Sequence, residues 1–292
     1  YMYVPILGLL LAATWGFATP LRRWRHELLI LSSLMLVVGG LAFASYRQVG
    51  IWKDSTTLFS RNVEITKDNY IGHYNLGNAY FQKRQHQRAI QHYQEAARIA
   101  PRFSRAYAAL GYTYAVEKRY QEALIALEKA VELNDRDMYG LTTLGFVLVA
   151  VGSYDRATLV YERGLKLDPS NLDALLGSGY ASEMQGHPEV AERHYVTGVQ
   201  RNPGSATARF RLASLHARQG RTEEAIAEYL IALKINPTFF EAQNNIANAY
   251  SRLGRYEDAV RHYREALRLA PSDREVLMNL ERAEAILRSG RR

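Results

Sequence analysis

The chain opens on two uncharged apolar runs and then alternates apolar and polar positions at helical spacing to its end. Residues 1–19 and 28–46 contain no charged side chain. At about 1.5 Å per residue each would reach roughly 28 Å as a helix, close to the thickness of a bilayer core, so both are expected as transmembrane helices. Tyr1, Tyr3, Trp15, Trp24 and Tyr46 stand near the ends of these runs, where aromatic anchors belong. The stretch between them, residues 20–27, is a basic loop with Arg22, Arg23 and Arg25, against Arg47 and Lys53 beyond the second run. The positive-inside rule then puts the loop in the cytoplasm and the remainder across the membrane, in the periplasm of a bacterium or the lumen of the endoplasmic reticulum. The chain begins on Tyr with no basic region ahead of the first run, which is unlike a secretory signal and is expected of a piece cut from something longer.

Beyond these runs one pattern returns every 34 residues, without insertion, from 70 to 273. With Tyr70 as position 1, position 20 is alanine six times: Ala89, Ala123, Ala157, Ala191, Ala225 and Ala259. Position 8 is always Gly or Ala, from Gly77 to Ala247, and so is position 27, from Ala96 to Ala266. Small residues there let two helices, and the next pair, approach closely. Position 24 is Tyr in every segment but the second, where it is Leu127; a large ring fills the space the small residues leave. Position 32 is Pro except at Asp135, which ends the second helix and turns the chain into the next unit. Position 7 is Leu76, Leu110, Leu144, Leu212 or Ile246, with Ser178 the exception, so the fourth unit is expected to be the least well packed there. Gly152, Gly186, Gly220 and Gly254 occupy the turns between the paired helices.

The expected organisation follows. Residues 47–69 are a linker and an orphan second helix over 52–66 that caps the array, with Phe59 at position 24 of the preceding frame. Six helical hairpins span 70–103, 104–137, 138–171, 172–205, 206–239 and 240–273. Residues 274–292 are an amphipathic closing helix, with Val276, Leu277, Leu280 and Leu287, and a basic tail. Each hairpin buries its face only by stacking on its neighbours.

Composition narrows the chemistry. There are no cysteines, which removes disulfides and thiolate metal sites. The net charge of +8 is not concentrated: from residue 70 onward thirty basic residues interleave with twenty-five acidic ones, a solvated mixed surface and not a phosphate-tracking stripe, so no nucleic-acid partner is expected. Eight histidines include His73, His86 and His92, but no metal-binding spacing, and those at positions 19 and 23 are expected to be solvated. Gly177-Ser178-Gly179 lacks the Lys-Ser/Thr of a phosphate loop, and no serine, histidine and carboxylate share a nucleophile context. No catalytic residue, metal or cofactor is expected in this chain.

The expected site is a peptide groove. First-helix positions 2, 5, 6, 9, 12 and 13 should face the concave side. Position 9 supplies Asn78, Tyr112, Phe146, Tyr180, Ser214 and Asn248, and Val116, Val149 and Met184 lie alongside. The middle is therefore apolar and aromatic, and the ends are polar at Asn75, Asn78, Asn244, Asn245 and Asn248, which suits an extended protein or peptide ligand. The competing expectation is that Tyr112 and Phe146 pack against adjacent first helices.

The spacing of small residues, Tyr and Pro over 70–273 resembles the tetratricopeptide repeat. That resemblance implies an all-α fold, a right-handed α-solenoid of six hairpins with capping helices, here preceded by two transmembrane helices. The clamp that related folds use for chaperone tails is not spelled out, since positions 2 and 6 read Ile71/Asn75, Arg105/Ala109 and Tyr139/Thr143. The order of Tyr1-Met2-Tyr3-Val4-Pro5, two apolar runs, Trp52-Lys53-Asp54-Ser55 with Leu58-Phe59, and His73-Tyr74-Asn75-Leu76-Gly77 resembles the carboxyl-terminal part of transmembrane, tetratricopeptide-repeat-containing O-mannosyltransferase-like proteins. It implies a region anchored in the lipid bilayer through residues 1–46 that presents acceptor protein to a polytopic glycosyltransferase. Lipid-linked sugar would be bound only by a catalytic part outside this chain, and no position here inherits the family's carboxylates. A non-enzymatic tethered adaptor for envelope assembly, and an adaptor of inverted topology, are the alternatives.

Overall fold

The computed structural model describes residues 33–43, 45 and 54–290. Every regular element among them is a helix, and from residue 55 onward they build an all-α repeat solenoid. Helix α1 (Ser55–Ile65) leads into six hairpins: α2 (Tyr70–Gln82) with α3 (His86–Ile99), α4 (Ser104–Val116) with α5 (Tyr120–Leu133), α6 (Met138–Ala150) with α7 (Tyr154–Leu167), α8 (Leu172–Met184) with α9 (Pro188–Arg201), α10 (Ala206–Arg218) with α11 (Thr222–Ile235), and α12 (Phe240–Arg252) with α13 (Tyr256–Leu269). Helix α14 (Arg274–Gly290) closes the stack against α13. Corresponding helices begin 34 residues apart throughout.

The two transmembrane helices expected at the amino end are not supported. Among the described residues no helix is long and apolar enough to cross a membrane. The first run, residues 1–19, lies outside the described residues, as do residues 28–32, 44 and 46 of the second. Within the second run the described residues 33–43 and 45 are helical. The integral-membrane placement, the bilayer contact through residues 1–46 and the non-cytoplasmic orientation of the repeats fall with the spans.

Each hairpin turn is built the same way. In α2 the Gln85 N–H donates to Tyr80 O at 2.9 Å and the Arg84 N–H to Phe81 O at 2.9 Å, the paired bonds of a helix ended by a left-handed residue. That residue is Gly152, Gly186, Gly220 and Gly254 in the last four hairpins, at φ of 74–81°. In the first two it is Arg84 (φ 58°) and Lys118 (φ 59°), where an L side chain crowds the following carbonyl. Arg84→Gly and Lys118→Gly are each expected to raise stability by about 0.5–1 kcal/mol, read as a higher urea midpoint, the relief of strain exceeding the added entropy of the unfolded chain. Unchanged or lower midpoints would show that these side chains are held by something else.

The core follows the small-residue rhythm. All six position-20 alanines are fully buried, and the large residues at position 24, Tyr93, Leu127, Tyr161, Tyr195, Tyr229 and Tyr263, are buried beside them. A Cβ at Gly77 or Gly179 would come within 2.5 Å of the ring of Tyr93 or Tyr195, so in these two hairpins the ring lies where a position-8 side chain would stand. Along the stack the core divides. One cluster runs from Ala89 to Ala181 and another from Ala213 to Ala283, between them lies a smaller one around Tyr195, Val199, Leu212 and Leu215, and a fourth gathers Ala96, Ala97 and Ala106 near the amino end.

Candidate functional site

First helices touch the first helices of neighbouring hairpins, α4 on α6, α6 on α8, α8 on α10 and α10 on α12, so they crowd the inner side of the stack. A groove of about 660 Å³ opens along that side between α4, α6, α8 and α10. Its apolar wall carries Tyr112 from α4, Tyr139, Phe146 and Val149 from α6, and Leu176 and Tyr180 from α8. Phe146 is 55 % exposed, Tyr139 48 % and Tyr112 38 %, high values for large rings on a folded surface. Tyr112 also packs between Phe81 and Tyr139, with ring centroids 5.5 and 5.7 Å away. It therefore contacts its neighbours and still offers a face to the groove.

Four residues expected at the site, Tyr112, Phe146, Val149 and Tyr180, stand together around this cavity; the others do not line it. Val116 and Met184 are exposed near the ends of α4 and α8. Asn75 is half-buried on α2, and Asn244 and Asn245 on α12, where Asn244 Oδ1 is buried without a partner. Asn78 and Asn248 are occupied internally, accepting from the hydroxyls of Tyr93 (2.7 Å) and Tyr263 (2.5 Å).

The polar floor comes from residues not singled out in the sequence. Thr142 and Thr143 spend their hydroxyl protons on the carbonyls of Met138 (2.9 Å) and Tyr139 (2.7 Å) in their own helix. Asp173 and Arg211 are the charged side chains of the lining. Arg211 lies with its guanidinium 5.3 Å from the centroid of Tyr180 and forms no ion pair among the described residues. Tyr161 arrives from α7, behind the first helices. Its ring passes between Gly145 and Gly177, where a Cβ on either would collide with it, and reaches the cavity. In other hairpins the equivalent hydroxyl is satisfied, by Asn78, by Ser214 (3.0 Å from Tyr229), by Asn248, or by Glu183, which accepts from Tyr195 at 3.1 Å. At position 9 of this hairpin, where the first, fifth and sixth have Asn78, Ser214 and Asn248, stands Phe146, which offers no acceptor, and the Tyr161 hydroxyl has no partner among the described residues. Burial, and after it the nearby Asp173 carboxylate, pushes this phenol up, so it keeps its proton as a donor.

Signals for most of these residues were present: Tyr139 and Asp173 are at position 2, Leu176 at position 5, and Gly177 and Arg211 at position 6 of the expected concave face. Tyr161 has the address of a core residue, and nothing in its own repeat marks it as reaching the groove.

Position-23 histidines differ from the solvated expectation. They are half-buried and bond across the hairpin: His92 Nδ1 to His73 Nδ1 at 3.1 Å, His194 Nε2 to Ser178 Oγ at 3.2 Å, and His262 Nδ1 to Gln243 Oε1 at 2.8 Å. Burial lowers the pKa of His73, His92, His194 and His262. A histidine held below its unfolded value near 6.5 stabilises the fold fully above that pH, and the contribution is lost as pH falls through it. The denaturation midpoint is expected to drop between pH 7 and 5, above the range where carboxylates titrate, and to flatten when His92, His194 and His262 are all changed to Gln. A flat wild-type profile over that range would contradict the assignment. Among the described residues no three His, Asp or Glu side chains gather as a metal-holding group.

Three family models match the repeats: a tetratricopeptide-repeat model at residues 70–103 and 240–273, a second at 104–137, and a TPR-repeat model at 213–254. No curated protein matches the chain. Among solved structures it is similar to YrrB, described as a TPR protein with an unusual peptide-binding site, at 24 % identity and TM-score 0.53 over 63 % of this chain and 95 % of that one. It is also similar to pilF of Pseudomonas aeruginosa, at 17 % identity and TM-score 0.62 over 74 % and 96 %. A third likeness is to the Cut9–Hcn1 hetero-tetramer of APC/C, at 17 % identity and TM-score 0.65 over 78 % of this chain and 45 % of that one. At these identities the likeness is one of fold. None of these matches is to an O-mannosyltransferase-like protein, so the resemblance narrows to the repeats. Tetratricopeptide repeats are thus shown at residues 70–137 and 213–273, and the hairpins between them have the same helix lengths and spacing.

Proposed function

We propose that this scaffold binds an extended peptide segment of a partner protein along its concave groove. The observation that carries the reading is the cluster of large rings, Tyr112, Tyr139 and Phe146, left open to solvent on one wall of a concave surface, which a folded chain ordinarily buries. Four neighbouring first helices about 10 Å apart span roughly 30 Å, the reach of about nine extended residues. The flanking amide of Asn75 would hold main-chain groups of a longer segment, since an amide both donates and accepts. The peptide-binding description attached to YrrB is consistent with this reading. The narrower role of presenting acceptor protein to a glycosyltransferase rests on sequence resemblance and adds no residue to the groove.

A peptide array tests the reading. Segments bound by the wild-type chain are expected to lose affinity at least about 10-fold when Tyr112, Phe146 and Tyr180 are changed together to Ala, with helical circular dichroism unchanged. Binding that survives the triple change would remove the groove as the site. Loss of helicity would show these residues to be core.

A further inference from the structure

Resting on that groove reading, we infer that the groove selects a peptide carrying one carboxylate side chain among apolar ones, with Arg211 pairing the carboxylate and the Tyr161 hydroxyl as a second donor. Arg211 differs from its neighbours on α10. Arg209 pairs with Glu228 at 2.7 Å and Arg218 with Glu183, whereas Arg211 meets no carboxylate among the described residues. It is half-buried, and the Tyr180 ring holds its guanidinium beside the cavity. A planar fork of N–H donors fixed against a ring matches a carboxylate in two-point geometry, which a lysine would not do.

Tyr161 supplies the independent observation. The residue is 4 % exposed, its hydroxyl is unpartnered, and it lines the cavity. The other position-24 tyrosines have internal acceptors, so among them only Tyr161 lacks one among the described residues. Arg211 and Tyr161, donors without acceptors set in an apolar wall, call for a ligand that brings acceptors and apolar side chains together. Asp173, exposed in the first turn of α8, limits the charge: an acidic tract would be repelled, and a single carboxylate placed at Arg211 would not.

The test uses three fluorescein-labelled peptides of about nine Leu- and Phe-rich residues, alike except for a central Glu, Gln or Lys. Fluorescence anisotropy is expected to show the Glu peptide binding about 10-fold more tightly than the Gln peptide, and the Lys peptide more weakly than either. Arg211→Gln should erase the difference between Glu and Gln peptides. Tyr161→Phe, which keeps the ring between its two glycines, should weaken the Glu peptide by about fivefold. Circular dichroism of both variants confirms that the helices remain. Equal binding of the Glu and Gln peptides, or discrimination that persists in Arg211→Gln, overturns the selectivity and leaves the groove reading standing. Failure of all three peptides to bind wild-type chain overturns both.

Discussion

Tyr195→Ala is expected to destabilise the array by about 3–5 kcal/mol and to split its unfolding into two transitions. Tyr195 is fully buried and anchors the small middle cluster between two larger ones. Around it the fourth hairpin is thin in apolar atoms. Gly179 and Gly198 sit at its small-residue positions, and the inner face of α8 buries Ser178 and Ser182. Stability in a stacked array is a sum of units and nearest-neighbour interfaces, so removing the ring weakens the joint between α9 and α10 more than either end. Hydrogen exchange should show protection falling first in α8 to α10, with α2 to α5 and α12 to α14 keeping theirs. Tyr93→Ala, near the amino end, should loosen that end and leave one main transition. A single cooperative transition in Tyr195→Ala would contradict the division of the core.

Gly177→Ala is expected to destabilise by about 2 kcal/mol and to abolish binding in the groove. Its methyl would overlap the Tyr161 ring, and the ring cannot slide away because Gly145 closes the slot on the other side. Alanine does occur at position 8 in later hairpins, as Ala213 and Ala247 beside Tyr229 and Tyr263, so Gly145→Ala should be milder than Gly177→Ala. Tyr161→Leu should rescue the Gly177→Ala fold in part, since Leu127 fills the same place in the second hairpin. A double-mutant cycle should give a coupling of about 1 kcal/mol or more; additivity would mean that the two residues do not share the slot.

Much of the solenoid is legible because its repeat is enforced by sterics. A position that admits no side chain beyond a methyl, such as Ala89 or Ala259, repeats visibly and marks where helices meet. The turn was half legible. Glycine names it in four hairpins, but Arg84 and Lys118 adopt the same left-handed backbone because the closing of the hairpin imposes it whatever the residue. Ser178 read as a packing defect; its partner His194 lies 16 residues on, at a separation that helical periodicity does not report. In the groove, position within the frame was enough to name Tyr112, Phe146 and Tyr180. It was not enough for Tyr161, whose access depends on glycines from two different hairpins. The amino-terminal runs lie largely outside the described residues, and the described part holds no helix long and apolar enough to cross a membrane.

Photo-crosslinking of the Glu-bearing peptide, followed by mass-spectrometric location of the adducts, tests the groove most directly. Adducts are predicted on α4, α6, α8 and α10, at residues such as Tyr112, Phe146 and Tyr180. Adducts gathered instead on the outer helices α5, α7 and α9 would contradict the account.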